Sequence, residues 1–160
     1  MDTSAITNTL NIWLEKNGFI TRVAGTDSDF WWDVEDDLIY YSLVASNTNL
    51  KLWDKLLISL GCQYTIDPFF TAFLHELFHG VSYPELLDEE IDDSENIKNQ
   101  LVEKETLSEE DYWLYFHLPM EIAATQGAVD FINTHPNEVK DLISTVSPLI
   151  QDFYKLNKIA

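Results

Sequence analysis

The sequence predicts an α+β domain, with one small, mostly antiparallel sheet and several helices around it. Three observations carry this. Apolar residues recur at helical spacing near the N-terminus and through most of the second half. One stretch, residues 19 to 45, is instead rich in aromatic and β-branched residues interrupted by turn formers. The elements then follow as helix, strands, helices.

Residues 3 to 16 form the first helix, with Ile6, Leu10, Trp13 and Leu14 on one face and Asn17-Gly18 as its stop. FITRVA, 19 to 24, reads as a strand followed by the turn-rich GTDSD. In DFWWDVEDDLIYYSLVA two apolar-aromatic halves flank the acidic tip VEDD, the pattern of a hairpin. Asn49 to Leu60 is a second helix with Leu50, Trp53, Leu56, Leu57 and Leu60 inward. PFFTAFLHELFH is a helix of about three turns, capped by Asp67, opened by Pro68 and closed by Gly80 as a left-handed cap. Residues 95 to 104 are partly helical, another helix begins near Ser108, and Pro119 opens PMEIAATQGAVDFINT. Residues 137 to 157 are a last amphipathic helix with Val139, Leu142, Ile143, Val146, Leu149, Ile150 and Phe153 inward, bent at Pro148.

At 160 residues the chain suits a single domain, and 46% hydrophobic and 13% aromatic residues support a core. No apolar run reaches the roughly 18 residues of a membrane span, and the first residues lack the basic start and apolar stretch of a signal peptide. Cys62 is the only cysteine, so an internal disulfide and any zinc site needing two thiolates are excluded. A cytoplasmic home is expected. The net charge of −19 disfavours nucleic acid and anionic membrane as partners, since both attract proteins through Lys and Arg. Seven acids crowd residues 85 to 95, read as a mobile, solvated segment, and five more lie in 103 to 111.

HELFH, residues 75 to 79, is the segment with chemistry in it. His75 and His79 stand one helical turn apart and can point two imidazole nitrogens at one ion. Glu76 lies one step round, placed to take a proton from a water on that ion. A third ligand is needed, and Glu85, Asp88, His117, Glu121, Asp130 and His135 are the candidates downstream. Glu121 is favoured because it sits in the first turn of the Pro119 helix, whose Ala123, Ala124 and Gly127 would allow close approach to the motif helix. His117 is the alternative ligand. Tyr83, Tyr112, Tyr115 and His117 are candidates to stabilise an oxyanion. Trp31, Trp32, Tyr40 and Tyr41 could line a substrate groove or simply pair across strands.

HELFH followed by PMEIAAT, 119 to 125, resembles the gluzincins, zincin metallopeptidases with H-E-x-x-H and a glutamate ligand on a later helix. The resemblance implies a minimal zincin-like domain, its sheet packed against the motif helix. It implies one Zn²⁺ on His75, His79 and Glu121, Glu76 as general base, and a protein or peptide substrate laid along an edge strand. Ile39, Tyr40, Tyr41 and Ser42, in the segment 39 to 44, are the candidates for that edge. The longer gluzincin pattern has Asn before the glutamate and Asp four residues after it, where this chain has Met120 and Thr125. The metzincin extension is absent, with Ser82 and Glu85 at its Gly and His positions. Two other readings remain: a binding protein on an idle zincin scaffold, and an acidic mimic of nucleic-acid charge that sequesters a partner.

Overall fold

The structure, a computed structural model, describes residues 2–27, 29–43 and 50–158. Ser28, the end of the expected edge segment at Val44, and Asn49, the expected start of the second helix, lie outside them. The fold is α+β, with seven α-helices and a three-stranded sheet among the described residues. None of these helices is long and apolar enough to cross a membrane. They gather into two compact units: described residues up to Leu43 together with those from Thr134 onward, and 50–133.

The first unit holds α1 (Ser4–Lys16), β1 (Arg22–Gly25), β2 (Trp31–Asp33), β3 (Leu38–Tyr41) and α7 (Pro136–Leu156). Helix α1 buries Ile6, Leu10, Trp13 and Leu14, the expected stripe, and ends at Gly18, whose φ of 81° suits a residue without a side chain. The Trp13 indole N–H donates to the Glu138 carbonyl at 2.9 Å, tying α1 to α7. Helix α7 runs through Pro148, which is exposed, and buries Val139, Leu142, Val146, Ile150 and Phe153. Strands β2 and β3 form the expected hairpin; Asp37 closes its turn at φ 48° and its carboxylate accepts from Thr21 Oγ1 and Trp32 Nε1, each at 2.8 Å.

The sheet is mixed, with one parallel and one antiparallel pairing. Its order is β1-β3-β2, with β1 parallel to β3 and β2 antiparallel to it. Strand β3 is therefore central, and Ile39, Tyr40 and Tyr41 cannot be an edge on which a substrate strand is added, because β1 and β2 already pair with both sides of it. Ile39 and Tyr41 are buried, Tyr41 shares a 2.7 Å hydrogen bond with Thr7, Tyr40 stacks on Trp31, and Ser42 is buried just past the strand. Tyr41 is thus a packing residue, while Trp31 and Tyr40 pair across the strands. Within its unit the sheet packs on α1; the motif helix belongs to the other unit.

The second unit holds α2 (Leu50–Ser59), α3 (Pro68–Ser82), a 3-10 turn (Tyr83–Glu85), α4 (Asp88–Val102), α5 (Glu109–Phe116) and α6 (Pro119–Thr134). Trp53, Leu56 and Leu57 of α2 meet Val129 of α6 in a buried cluster. Asp67 caps α3, its carboxylate accepting from the Phe69 N–H at 2.9 Å. Gly80 does not end α3: the helix continues to Ser82, and the break comes at Pro84, which has no N–H to extend the ladder. The acidic segment is likewise ordered as helix from Asp88, because Asp88, Glu89 and Glu90 stand in its first turn, where the helix dipole favours negative charge. Glu90 also accepts from the Leu87 N–H at 2.8 Å. Ser108 caps α5 through Asp111.

Helix α6 approaches α3 closely at Gly127. A Cβ there would lie 2.6 Å from Phe78 Cδ1 and 3.1 Å from Phe78 Cβ. Because the overlap reaches the stem of Phe78 as well as its ring, rotation of the ring alone cannot relieve it. Gly127→Ala is therefore expected to destabilise by about 1–3 kcal/mol, outweighing the roughly 1 kcal/mol of helix propensity that alanine adds. Urea unfolding of the variant checks the sign.

Candidate metal centre

Helix α3 sets His75 and His79 on one face, and α6 delivers Glu121 from its first turn. His75 Nε2 lies 2.8 Å and His79 Nε2 3.1 Å from the same oxygen, Glu121 Oε2. All three side chains are buried, and one ligand atom from each falls within 4.8 Å of the others. Glu121 is the third ligand candidate that the structure brings to the motif.

The protons in this cluster can be placed. Thr125 has one hydroxyl hydrogen and donates it to the Glu121 carbonyl at 2.9 Å. Its oxygen must then accept from His75 Nδ1–H at 3.0 Å. That fixes the tautomer of His75 and aims Nε2 at the cluster centre. Thr125, one turn beyond Glu121 on α6, thus orients His75. Thr125→Val keeps the shape and removes the acceptor; metal binding is expected to weaken about 10–100-fold, read by competition with a chelating indicator.

Burial opposes the charge on Glu121, but the hydrogen bonds from His75 and His79 outweigh it and hold the carboxyl well below its ordinary range. Burial likewise opposes protonation of His75, and the bond and charge of Glu121 overcome it, so its imidazole is raised. The two directions agree on an ion pair. Glu121 Oε1 faces a second pair of donors: Lys98 Nζ at 2.6 Å and the Tyr115 hydroxyl at 3.1 Å. Burial pushes the Tyr115 phenol up, and Glu121 and Glu76 push it further, so Tyr115 remains a neutral O–H donor.

Glu76 is half-buried, with Oε1 at 4.0 Å from His75 Nε2. It joins His75, Glu121, Tyr115, Trp53 and Phe116 around a cavity of about 150 Å³. Trp53 meets the His75 ring edge-on, with centroids 5.4 Å apart, and donates its indole N–H to Thr71 Oγ1 at 3.0 Å.

The set fits a divalent metal. Two imidazoles and one carboxylate are the donors of a catalytic zinc site with one place left open. Ligand atoms on a tetrahedral ion with bonds near 2.0–2.1 Å stand about 3.3 Å apart, and the two contacts to Oε2 are within half an ångström of that. A buried His75, His79 and Glu121 group can thus hold a metal ion.

Among the described residues, no other candidate ligand falls in this group. His117 is exposed at the end of α5, donating Nδ1–H to the Trp113 carbonyl at 2.7 Å, and is not among the three grouped ligands. His135 is exposed and shares a hydrogen bond with Thr134. Glu85 and Asp88 are exposed, and Asp130 accepts from Gln126. Tyr83 begins the 3-10 turn, and the Tyr112 ring lies 6.5 Å from that of Phe116. Two participants were missed by the sequence reading. Thr125 had a readable signal, one turn beyond Glu121 on the same helix face. Lys98 had only a faint one, as the sole basic residue of the acidic helix α4. No protein family matches the chain, and no curated protein or solved structure is significantly similar to it.

Proposed function

We propose that the chain is a zinc-dependent metallopeptidase, with the metal held by His75, His79 and Glu121 and with Glu76 as general base. One observation carries this reading: two imidazole nitrogens and a buried carboxylate oxygen converge beside a cavity that also receives Glu76. A zinc ion in such a site lowers the pKa of its water to about 7 and polarises a bound carbonyl. The remaining work falls to the side chains. Glu76 stands too far from the His75 nitrogen to share its place and near enough to reach over it. It accepts the proton of the attacking water and delivers it to the leaving amine. Tyr115 lines the same cavity; its hydroxyl donates to Glu121 Oε1, and it would have to turn from that bond to serve a developing oxyanion. Trp53 and Phe116 give the cavity an apolar wall, which lowers the local dielectric and strengthens both interactions. The cavity is smaller than the roughly 300 Å³ of a drug-sized pocket, so it admits one side chain, and most of a polypeptide substrate would lie outside it.

The test is incubation of the zinc-loaded protein with an unbiased peptide mixture, with products read by mass spectrometry. Cleavage that stops with a chelator and returns with Zn²⁺ supports the reading. A protein that takes up zinc but cleaves neither the mixture nor denatured protein substrates overturns it and favours a binding protein that holds a structural metal.

A further inference from the structure

Lys98 is the one charged group on the candidate ligand set that neither the motif nor the proposed chemistry uses. It stands on α4, where Ser94, Lys98 and Leu101 share one face at helical spacing. Ser94 and Leu101 are buried, and that face meets the start of α6 at adjacent residues. Met120 N–H donates to Ser94 Oγ at 3.2 Å, and Lys98 Nζ reaches Glu121 Oε1 at 2.6 Å. The ammonium also sits over the Tyr115 ring, 5.5 Å from its centroid. The Glu121 side chain is 3% exposed and that of Lys98 27%, so this is not a screened surface pair.

The two oxygens of Glu121 are thus divided. Oε2 faces the histidine nitrogens, and Oε1 is engaged by Lys98 and Tyr115. A carboxylate can grip a metal through one oxygen or both, and the difference decides whether a place stays open for water. We propose that Lys98 is a positioning residue that holds Glu121 Oε1 away from the metal, so that Glu121 ligates through Oε2 alone. This rests on the metal-centre reading. It also gives α4 a role: the acidic helix is fastened beside the site by its single lysine.

Metal affinity alone would be a poor readout. Removing a positive charge beside a cation strengthens binding, whereas loosening a ligand weakens it. Coordination number separates the two. The test is to load native protein, Lys98→Met and Lys98→Arg with Co²⁺ and record visible absorption, which is strong for four-coordinate cobalt and falls as ligands are added. The native and Lys98→Arg proteins should give the strong spectrum. In Lys98→Met, folded by circular dichroism, the absorption should fall severalfold as Oε1 turns inward. Should Lys98→Met not fold, Lys98→Gln, too short to hold Oε1 at the same distance, carries the same comparison. An unchanged spectrum in the folded variant would overturn the proposal and leave Lys98 as a tie between helices, with the metal reading intact. Failure of the native protein to take up Co²⁺ would overturn the metal reading itself, and this inference with it.

Discussion

Replacing Glu76 with glutamine is expected to leave bound zinc unchanged and to lower peptide hydrolysis by about 10²–10⁴-fold, the usual contribution of a positioned general base. The geometry sets both halves of this expectation. Glu76 lies outside the three-atom cluster, so its amide removes no ligand. It lines the same cavity as His75 and Glu121, so its carboxylate is placed to act on what that cavity binds. Glutamine matches the shape and can still hydrogen-bond, but it cannot accept a proton at neutral pH. Loss of zinc together with activity would make Glu76 part of the ligand set. Unchanged hydrolysis would remove it from the mechanism.

Glu121→Leu is expected to destabilise the metal-free protein by about 3–5 kcal/mol, the range for breaking a buried ion pair by removing one partner. Glu121 is nearly fully buried, and it answers His75, His79, Lys98 and Tyr115 at once. Leucine fills much of the volume but strands the Lys98 ammonium and takes from His75 the partner that favours its charged form. The double variant Glu121→Leu/Lys98→Met should recover part of the loss, since an apolar pair can replace a buried ionic one. Urea unfolding with a chelator present checks both. A loss below about 1 kcal/mol, the range of surface pairs, would mean that this network is solvated.

The same network gives the metal-free protein a pH window. The carboxyl of Glu121 is depressed, so its contribution is complete above the ordinary carboxylate range and lost as pH falls toward the depressed value. The imidazole of His75 is raised, so its contribution is complete below about 6.5, its unfolded value, and lost as pH climbs through the raised one. Stability from the pair is therefore greatest in mildly acidic solution, and Glu121→Leu should flatten that dependence.

Much of this was legible in the sequence where periodicity and capping agree. The faces of α1 and α7, the Asp67-Pro68 start of α3 and the Pro119 start of α6 follow from spacing and cap chemistry alone. Strand order was not legible. A hairpin fixes β2 against β3, but nothing local says that β1 adds to the other side of β3, and that pairing turned an expected edge into the centre of the sheet. Gly80 read as a stop because glycine permits a left-handed turn; it does not require one, and Pro84 set the boundary. The acids before residue 95 read as a mobile, solvated loop and helix face, with helix expected only from 95 on, because charge density outweighed the dipole argument that places them in a first turn. In the site, His75, Glu76 and His79 were legible because they lie within one turn, and Glu121 because a helix start marks it. Lys98 reaches the site only through the packing of α4 on α6.

We propose that His75, His79 and Glu121 are the ligands of one zinc ion. Elemental analysis of the purified protein after exposure to zinc tests it most directly, with His75→Ala, His79→Ala and Glu121→Ala measured beside it. One zinc per chain is expected in the native protein, and its loss in each of the three variants. A native protein that holds no metal even when zinc is supplied would contradict it and leave the cluster as a buried network of charges.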